Sequence, residues 1–223
     1  MTESIVSGNF TFRRTKLAGV IVVEPKVYGD ARGFFMETYK RDDFMKGGIT
    51  AHFVQDNQSH SVKGVIRGLH FQKRFPQAKL IRVLAGRIFD VAVDLRPESP
   101  TYGQWDGVVL SAENRRQVFI PRGFAHGFRV LSEAADIAYK CDDVWHPEDE
   151  GGLLWNDPAL GIAWPPVEGE TVFDMRSVVL SEKDRRFKML NAKIFNKKPR
   201  NSPCVSVGMD SGTERQLGPV CFL

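Results

Sequence analysis

The segment RIFDVAVDLR, residues 87–96, alternates between two kinds of side chain along its whole length. A period of two is typical of a β-strand, because successive side chains point to opposite faces. One face of this predicted strand is apolar and the other carries two carboxylates, as Phe89, Val91, Val93 and Leu95 alternate with Ile88, Asp90, Ala92 and Asp94. The apolar face predicts a core contact. The carboxylate face either meets water, which is the commoner arrangement, or lines a polar cavity inside a barrel.

Short apolar runs of the same kind recur on both sides of this segment, and turn-forming residues separate most of them. They cover residues 17–23, 61–72, 80–84, 107–110, 117–120, 127–130 and 136–139. Residues 40–46 indicate a short helix that ends at Gly47 and Gly48. Many short strands with frequent turns predict an all-β fold, either a sandwich or a barrel, with a few short helices.

Length and composition predict one ordinary globular domain. The chain has 223 residues, of which 42% are hydrophobic and 26% are charged. Its last part is rich in Lys, Asn, Ser, Gly and Pro and shows no periodicity. We therefore expect a domain over residues 1–190 and a poorly ordered tail over residues 191–223.

Charge, hydropathy and cysteine content argue against several classes of protein. The net charge is only +4, and the basic residues are scattered rather than gathered in a stripe that would bind nucleic acid. No apolar run approaches the ~20 residues of a membrane span, and the N-terminal residues lack the pattern of a secretory signal. The cysteines, Cys141, Cys204 and Cys221, are odd in number and widely spaced, unlike a disulfide framework or a zinc site. We expect a cytoplasmic protein that binds neither nucleic acid nor a membrane.

The densest polar cluster is QDNQSHSVKGVIRGLHFQ, residues 55–72. His70 lies within an apolar run there, so its side chain is predicted to face the interior. A histidine in that place is a hydrogen-bonded core residue, a metal ligand or a general base. Simple alternation puts Arg67 on the opposite face from His70. If both contact one ligand, Gly68 has to break the register, as a β-bulge does.

The segment IPRGFAHGF, residues 120–128, has Pro121, Gly123 and His126 in the spacing PxGxxH, which resembles the second sequence box of cupin barrels. A metal-binding cupin also has an HxH pair followed by a glutamate. The corresponding place here reads HFQ, residues 70–72, and no glutamate follows at ligand spacing. Two histidines alone make a poor transition-metal site, so we expect no bound metal.

The segment LSEKDRRFKML, residues 180–190, indicates a short helix near the end of the predicted domain. Ser181 as N-cap and Asp184 three positions later match a capping box, which would suffice to explain Asp184. A sharper hypothesis makes Asp184 the carboxylate that orients His70 and raises its basicity. Their separation along the chain neither supports nor excludes that pairing.

Together these segments are similar to the dTDP-4-dehydrorhamnose 3,5-epimerase family. Six stretches agree in the family's order between residues 17 and 188: EPKVYGDARGFFMETY, FVQDNQSHSVKGVIRGLHFQ, QAKLIRVLAGRIFDVAVDLRPESPTYGQW, LSAENRRQVFIPRGFAHGF, AYKCDDVWHPEDEGGLLWNDPALGIAWP and LSEKD. The resemblance implies a homodimeric cupin jelly-roll barrel without metal or organic cofactor. It also implies a nucleotide-sugar substrate, dTDP-4-dehydro-6-deoxy-D-glucose, which is inverted at C3 and C5 to give dTDP-4-dehydro-L-rhamnose.

The resemblance further implies roles for single residues. His70 matches the base next to the C4 ketone, Tyr139 the acid on the opposite face, and Lys79 the residue that stabilises the enolate. Asp184 matches the partner of His70, and Asp90 matches a carboxylate near the histidine. The family's substrate-binding positions fall on Arg32, Glu37, Gln55, Asn57, Arg67, His126, Trp145, Glu150 and Lys183.

One departure from the family concerns the nucleobase. Trp145 stands where a tyrosine is usual, at the position that stacks on thymine. Tryptophan also offers a flat aromatic face, so we expect stacking to survive while the base preference can differ. The alternatives are a mono-epimerase acting on a related nucleotide-diphospho-4-ketosugar, a metal-dependent cupin oxygenase, and a cupin that binds sugar nucleotides without catalysis.

Overall fold

The computed structural model describes residues 4–190, and β-strands make up most of their regular structure. In chain order the strands are β1 (Ser4–Ser7), β2 (Phe10–Arg14), β3 (Ile21–Pro25), β4 (Val27–Asp30), β5 (Gly33–Met36), β6 (Gln55–Val62), β7 (Ile66–Gln72), β8 (Lys79–Ala85), β9 (Arg87–Asp94), β10 (Trp105–Ser111), β11 (Gln117–Ile120), β12 (Phe124–Val130), β13 (Ala134–Cys141) and β14 (Glu150–Gly152). The helices are α1 (Arg41–Lys46) and α2 (Glu182–Arg185), with 3-10 turns at Pro147–Asp149 and Met175–Ser177. The predicted all-β fold with a few short helices is confirmed.

Two large antiparallel sheets contain most of the strands. The seven-stranded sheet has the order β1-β2-β3-β11-β8-β13-β6, and the five-stranded sheet has the order β10-β9-β12-β7-β14. Strands β4 and β5 form a separate hairpin. Most neighbours within a sheet are not consecutive along the chain, so the chain crosses repeatedly between the sheets. This is the arrangement of a cupin jelly-roll barrel.

Apolar side chains from both sheets fill the space between them. Ile81 and Val118 come from the seven-stranded sheet, and Ile88 and Val130 come from the five-stranded sheet. None of these four is more than 2% exposed. Burying such a side chain contributes roughly 1.5–3 kcal/mol, so this core holds the two sheets together.

The long segment after β14, residues 153–190, covers the outer face of the five-stranded sheet. Trp155 and Trp164 belong to one buried cluster with Leu69 of β7 and Val93 of β9. The indole N–H of Trp164 donates to the carbonyl of Trp155 at 2.9 Å. Both faces of β9 are buried, because one face meets the core between the sheets and the other meets this outer layer.

The suggestion that the carboxylates of β9 meet water is therefore wrong. Asp90 and Asp94 are 2% and 0% exposed. Asp94 accepts hydrogen bonds from the side chains of Arg96, Ser99 and Thr101 at 2.6–2.9 Å. Burial alone would raise the pKa of Asp94, but these bonds lower it to about 2. Asp94 thus organises the loop that follows β9, whereas Asp90 faces the interior.

Helix α1 packs on the strands at the N-terminal end of the seven-stranded sheet. Its Phe44 ring meets the rings of Phe10 and Phe12 edge-to-face, with centroids 5.0 and 5.3 Å apart. A Cβ atom on Gly47 would come within 2.5 Å of the Phe12 ring, so only glycine fits where the helix ends. The predicted helix and its glycine stop are confirmed.

Several strand boundaries differ from the prediction. The run predicted over residues 61–72 is divided between β6 and β7, because Gly64 with a φ of 76° makes a turn between them. The strand predicted from residue 17 begins at Ile21, and the helix predicted over residues 180–190 is confined to α2. Strands β4 and β5 escaped prediction because almost all their residues are exposed, which removes the alternation.

The proposed domain limits are only partly covered by the structure. Residues 1–3 and 191–223 lie outside the described residues, so the division into a domain over 1–190 and a tail over 191–223 stays a prediction. Within residues 4–190, no helix is both long enough and apolar enough to cross a membrane.

Candidate active site

A cavity of about 390 Å³ lies between the two sheets. Ile120 and Phe124, which belong to the core, also contribute to its wall. A cavity of this volume suits a small-molecule ligand. Most of the predicted site residues line it: Gln55, Asn57, Arg67, His70, Lys79, His126, Tyr139, Trp145, Glu150 and Lys183.

The imidazole of His70 is paired with a buried carboxylate. Its Nε2 lies 2.7 Å from Oδ1 of Asp184, whose side chain is 3% exposed. With Nε2 protonated and donating to Asp184, the lone pair of Nδ1 is free to accept a proton. Oε1 of Glu150 lies 3.6 Å from Nδ1. The hypothesised contact between Asp184 and His70 is confirmed.

Asp184 also keeps its structural role at the start of α2. The Ser181 hydroxyl accepts the backbone N–H of Asp184 at 3.1 Å, which is the predicted N-cap. Burial alone would raise the pKa of Asp184, but the hydrogen bond to His70, with smaller help from Ser181 and the backbone of Gly68, lowers it. The carboxylate is therefore ionised and held in place where it can orient the imidazole.

The register between β7 and β12 shifts beside His70. His126 is opposite His70, whereas Phe128, two residues further along β12, is opposite Arg67, three residues back along β7. The additional residue of β7 falls at Gly68, whose φ is 121°. The predicted break of register is present, and it lets Arg67 and His70 line the same cavity.

Arg67 presents a fixed cation to the cavity. Its Nε donates to the Ser61 hydroxyl at 2.9 Å, and a terminal nitrogen donates to the carbonyl of His60 at 3.1 Å. These two bonds hold the guanidinium while leaving other N–H groups for a ligand. A guanidinium held in this way suits the oxygens of a phosphate.

Two further groups project from the opposite, seven-stranded sheet. Lys79 is on β8 and Tyr139 is on the neighbouring β13, with the Lys79 Nζ 6.0 Å from the centre of the Tyr139 ring. Burial lowers the pKa of Lys79, although the charges of Asp90 and Glu150 act against this. Burial raises the pKa of Tyr139, so its phenol stays protonated and can donate.

A second histidine–carboxylate pair lies deeper in the barrel. Nε2 of His126 is 2.9 Å from Oδ2 of Asp90, and the two side chains are 12% and 1% exposed. Since His126 lines the cavity, Asp90 supports the cavity wall from behind. Of the two alternatives for the carboxylate face of β9, Asp90 thus fits the polar cavity.

The mouth of the cavity carries an aromatic ring and several amides. The side chain of Trp145 is 56% exposed, and its backbone N–H donates to Oε1 of Gln55 at 3.0 Å. Gln55 in turn donates to the side chain of Asn57 at 3.0 Å. Lys183 of α2 pairs with Glu150 at 2.7 Å. The mouth therefore offers a flat surface and a cation beside the inner polar groups.

Comparison with known proteins identifies the family. A family model described as dTDP-4-dehydrorhamnose 3,5-epimerase matches residues 14–192. The chain belongs to the dTDP-4-dehydrorhamnose 3,5-epimerase family. A relative of that name from Methanothermobacter thermautotrophicus is 55% identical over 181 residues, covering 81% of this chain and 95% of the relative. The protein is therefore an isomerase of the epimerase type.

Solved structures agree with this assignment. A dTDP-6-deoxy-D-glucose-3,5-epimerase from Legionella pneumophila, in complex with dTDP-4-keto-L-rhamnose, is 49% identical with a TM-score of 0.76, covering 84% of this chain and 95% of that one. A 3'-monoepimerase from Streptomyces bikiniensis, in complex with dTDP-quinovose, is 30% identical with a TM-score of 0.70. The match covers 78% of this chain and 85% of that one. Solved structures similar to this chain thus include both a 3,5-epimerase and a 3'-monoepimerase.

Two predicted binding residues of the epimerase lie away from the cavity of their own chain. Arg32, in the turn between β4 and β5, has a side chain that is 90% exposed and pairs with Asp30. Glu37 follows β5 and accepts a hydrogen bond from Asn9 at 2.8 Å. Strands β4 and β5 form a hairpin separate from both sheets, which explains why neither residue lines the cavity.

Seven residues that line the cavity of the epimerase were not predicted from the sequence, and three of them, Gln72, Gln77 and Cys141, have polar side chains. Gln72 and Cys141 line the cavity, and each stands two residues beyond a predicted site residue on the same strand, so strand parity would have found both. Burial raises the pKa of the Cys141 thiol to about 11, which makes it a poor nucleophile. Gln77 also lines the cavity, but it lies in a loop and follows no pattern.

The two histidines of the cavity belong to separate pairs, His70 with Asp184 and His126 with Asp90. Among the residues that the structure describes, no group of three or more His, Cys, Asp and Glu side chains is arranged to hold a metal ion. The expectation of a metal-free enzyme stays a prediction, and metal analysis of the purified protein tests it.

Proposed function

We propose that this epimerase converts dTDP-4-dehydro-6-deoxy-D-glucose to dTDP-4-dehydro-L-rhamnose by inverting C3 and C5. One observation carries the proposal. His70, paired with Asp184, lines the cavity from β7 of the five-stranded sheet, and Tyr139 lines it from β13 of the seven-stranded sheet. A sugar bound between them has a base on one side and an acid on the other, which is what inversion requires.

His70 is the base in this proposal. The Asp184 carboxylate holds the imidazole in the tautomer in which Nδ1 accepts the proton. The proton next to the C4 ketone is acidic only if the resulting enolate is stabilised. Removal at C3 and removal at C5 give enolates that share the C4 oxygen, so one stabilising group serves both steps.

Lys79 is the stabilising group. Its ammonium is buried beside the cavity, and a cation in a site with little water interacts strongly with negative charge on oxygen. Asp90 and Glu150 oppose the effect of burial and help keep the amine protonated. Tyr139 then donates its phenolic proton to the face opposite His70, because return from His70 would restore the starting sugar.

The remaining polar groups bind the nucleotide diphosphate. Arg67 and Lys183 offer cations to the phosphate oxygens, and Trp145 offers its exposed ring to the base. Gln55 and Asn57 join them at the cavity mouth. Binding energy from this remote part of the substrate then positions the keto sugar between base and acid.

Incubation with dTDP-4-dehydro-6-deoxy-D-glucose in deuterated water tests the reaction. Nuclear magnetic resonance should show deuterium at both C3 and C5 of an inverted product. Deuterium at only one carbon would replace this proposal with the mono-epimerase. Absence of any exchange despite tight binding would leave a cupin that binds sugar nucleotides without catalysis.

His70→Asn is expected to abolish exchange at both carbons while dTDP binding stays close to that of the wild type. His60→Asn is a matched control, because His60 is an exposed histidine that also pairs with a carboxylate, Asp136, at 3.0 Å outside the cavity. Wild-type exchange in His70→Asn would remove His70 from the role of base.

We also propose that the epimerase is a homodimer. The β4–β5 hairpin exposes the rings of Tyr28, Phe34 and Phe35, which are 44%, 57% and 65% exposed. Exposed aromatic groups that adjoin one another are typical of association surfaces, and Arg32 lies at the same hairpin. Light scattering after size exclusion should give twice the chain mass, and Phe34→Ser with Phe35→Ser should give a monomer. A wild-type monomer would contradict the proposal.

A cytoplasmic location is supported by the cysteine chemistry. Among the residues that the structure describes, Cys141 has a free, buried thiol. Persistent free thiols are typical of a reducing compartment. Fractionation of cells that produce the enzyme should recover it with cytoplasmic markers.

A further inference from the structure

Gln72 joins the two loops that form the mouth of the cavity. It is the last residue of β7, it is 7% exposed, and it lines the cavity. Its Nε2 donates to the carbonyl of Phe75 at 2.6 Å and to that of Val144 at 3.5 Å. Its Oε1 accepts the backbone N–H of His146 at 2.7 Å. One buried amide therefore crosslinks the loop after β7 to the loop after β13.

These hydrogen bonds stand on both sides of Trp145. Val144 and His146, its neighbours in sequence, are both bound by Gln72, and the N–H of Trp145 itself is bound by Gln55. Three consecutive backbone positions are thus fixed by two glutamine side chains. The indole ring meanwhile is 56% exposed at the cavity mouth. Surface loops are usually more mobile than the strands they connect, so these bonds restrain the backbone that carries the ring.

The two loops are also joined on their outer side. The rings of Phe75 and His146 stack with centroids 4.3 Å apart. The buried carboxylate of Asp149 accepts the backbone N–H groups of Arg74 and Phe75 at 2.7 and 2.9 Å. Contacts within the chain itself therefore hold the two loops of the mouth together.

We propose that Gln72 is a positioning residue for the nucleotide, because it fixes the Trp145 ring where the base stacks. This rests on the proposed function of the same cavity. A preassembled ring spares the ligand the entropic cost of ordering two loops, so the effect falls on binding. Gln72 does not touch the reacting carbons. In the HxH pattern of metal-binding cupins this position holds a ligand, whereas here its amide is occupied by backbone groups.

Gln72→Met tests the proposal, because methionine has a similar length but makes none of these hydrogen bonds. We expect KM for the dTDP-sugar and Kd for dTDP to rise roughly tenfold, with kcat changed by less than about twofold. Gln104→Met is the matched control, since Gln104 is an exposed glutamine outside the cavity. Unchanged KM in Gln72→Met, or a fall in kcat alone, would overturn the proposal.

A double-mutant cycle shows whether Gln72 acts through Trp145. If it does, Trp145→Ala and the double variant should have the same KM, because there is no longer a ring to position. Additive losses would contradict the proposal. Acrylamide quenching gives a spectroscopic check, since Trp145 is the most exposed tryptophan of the described chain. Bound dTDP should protect it less in Gln72→Met than in the wild type.

A second variant keeps the test valid if Gln72→Met folds poorly. Gln72→Glu retains an oxygen that accepts the His146 N–H, but it sets an acceptor against the Phe75 carbonyl and adds a negative charge to the cavity, so its KM should rise at least as much as that of Gln72→Met. A wild-type KM in this variant would also count against the proposal. Failure of the proposed reaction is separate, because it would show as missing deuterium exchange in the wild-type enzyme.

Discussion

At the residue scale, Asp184 performs two tasks that the sequence presents as alternatives. Its backbone N–H is capped by Ser181, and its side chain is paired with His70. The tasks are compatible because a helix N-cap binds backbone, which leaves the carboxylate free to point away from the helix. A short helix is thus sufficient to aim one carboxylate at one imidazole.

Tyr139→Phe separates proton removal from inversion. His70 remains, so the starting sugar should still take up deuterium in deuterated water. Inversion should slow by about 10²–10⁴-fold, because the acid on the opposite face is absent. Exchange with retention, followed by nuclear magnetic resonance, is the measurement. Tyr102→Phe is the control, since Tyr102 lies in the loop after β9 and does not line the cavity. Inversion at the wild-type rate would exclude Tyr139 as the acid.

The carboxylate of Asp94 makes the stability of the domain depend on pH. Its pKa falls from an ordinary 3.8 to about 2 in the folded protein, which corresponds to about 2 kcal/mol of stabilisation. A lowered pKa stabilises the fold above the ordinary value, and the stabilisation is lost as pH falls through the folded value. Asp94→Asn should therefore be less stable by about 2 kcal/mol at neutral pH, and the difference should shrink in acid.

Urea unfolding at a series of pH values measures this dependence. Glu98→Gln is the control, because Glu98 is exposed in the same loop and should leave the unfolding curve unchanged. A gap between Asp94→Asn and the wild type that stays constant down to strong acid would show that Asp94 acts through packing and not through its charge.

Residue type alone predicted where a side chain lies when the group is unusual for its surroundings, although its chemical role stays a prediction. His70 in an apolar strand pointed to the interior, and the cavity includes it. The pairing with Asp184 was beyond the sequence, because a contact between residues 114 positions apart depends on the path of the chain. Arg32 and Glu37 look like binding residues by motif, but no local pattern shows which cavity a hairpin will reach.

At the scale of single elements, the irregularity of β7 decides the shape of the cavity. A regular strand would turn either Arg67 or His70 out of it. The register shift at Gly68 avoids this, and it places the backbone of Gly68 close to that of Gly127 on β12. Two glycines on adjacent strands therefore allow an approach that a Cβ atom would prevent.

Gly68→Ala should disrupt this element. The added Cβ would lie 2.6 Å from the Cα of Gly127 and 2.8 Å from the carbonyl of His126, and the φ of 121° is itself unfavourable. We expect a loss of at least about 2 kcal/mol in the free energy of unfolding, together with loss of activity. Gly169 also has a positive φ, but a Cβ added there would meet nothing within 4 Å. Gly169→Ala therefore measures the backbone strain without any steric clash. Equal effects of both variants in urea unfolding would refute the packing argument.

Strand alternation predicted β9 but could not show what covers it. The pattern correctly divides the strand into two faces, but it left open whether Asp90 and Asp94 meet water or line a polar cavity, and both are buried. An alternation of side chains shows only that the two faces of a strand differ. A polar face can still be buried when its side chains find hydrogen-bonding partners. Those partners are His126 for Asp90 and the following loop for Asp94.

At the scale of the whole molecule, the outer layer over residues 153–190 stabilises the barrel. Arg129 is fully buried beneath it and donates to the carbonyl of Pro165 and to the hydroxyl of Ser177 at 2.7 Å or less. Burial lowers the pKa of this guanidinium. The tryptophans of the layer supply apolar contact, and Arg129 fixes its position on the sheet. No periodic pattern predicts this layer, since it contains almost no regular structure.

Trp164→Ala and Trp145→Ala form a pair that separates stability from binding. Trp164 is 6% exposed and Trp145 is 56% exposed. Trp164→Ala should lower the free energy of unfolding, measured in urea, by about 3–5 kcal/mol. It should leave the dTDP affinity of the folded enzyme intact. The second should change stability by less than about 0.5 kcal/mol but weaken dTDP binding, measured by calorimetry. A large stability loss at Trp145 would argue that its ring supports the fold instead of the ligand.

The pairing of His70 with Asp184 joins a middle strand to the end of the outer layer, 114 residues later. During synthesis every strand of both sheets leaves the ribosome before the carboxylate does. A nascent or proteolysed chain that stops ahead of residue 184 therefore has the barrel's strands but an unsupported imidazole. On the proposed mechanism such a chain lacks the partner of its base, so we expect catalysis only from copies that extend to residue 184.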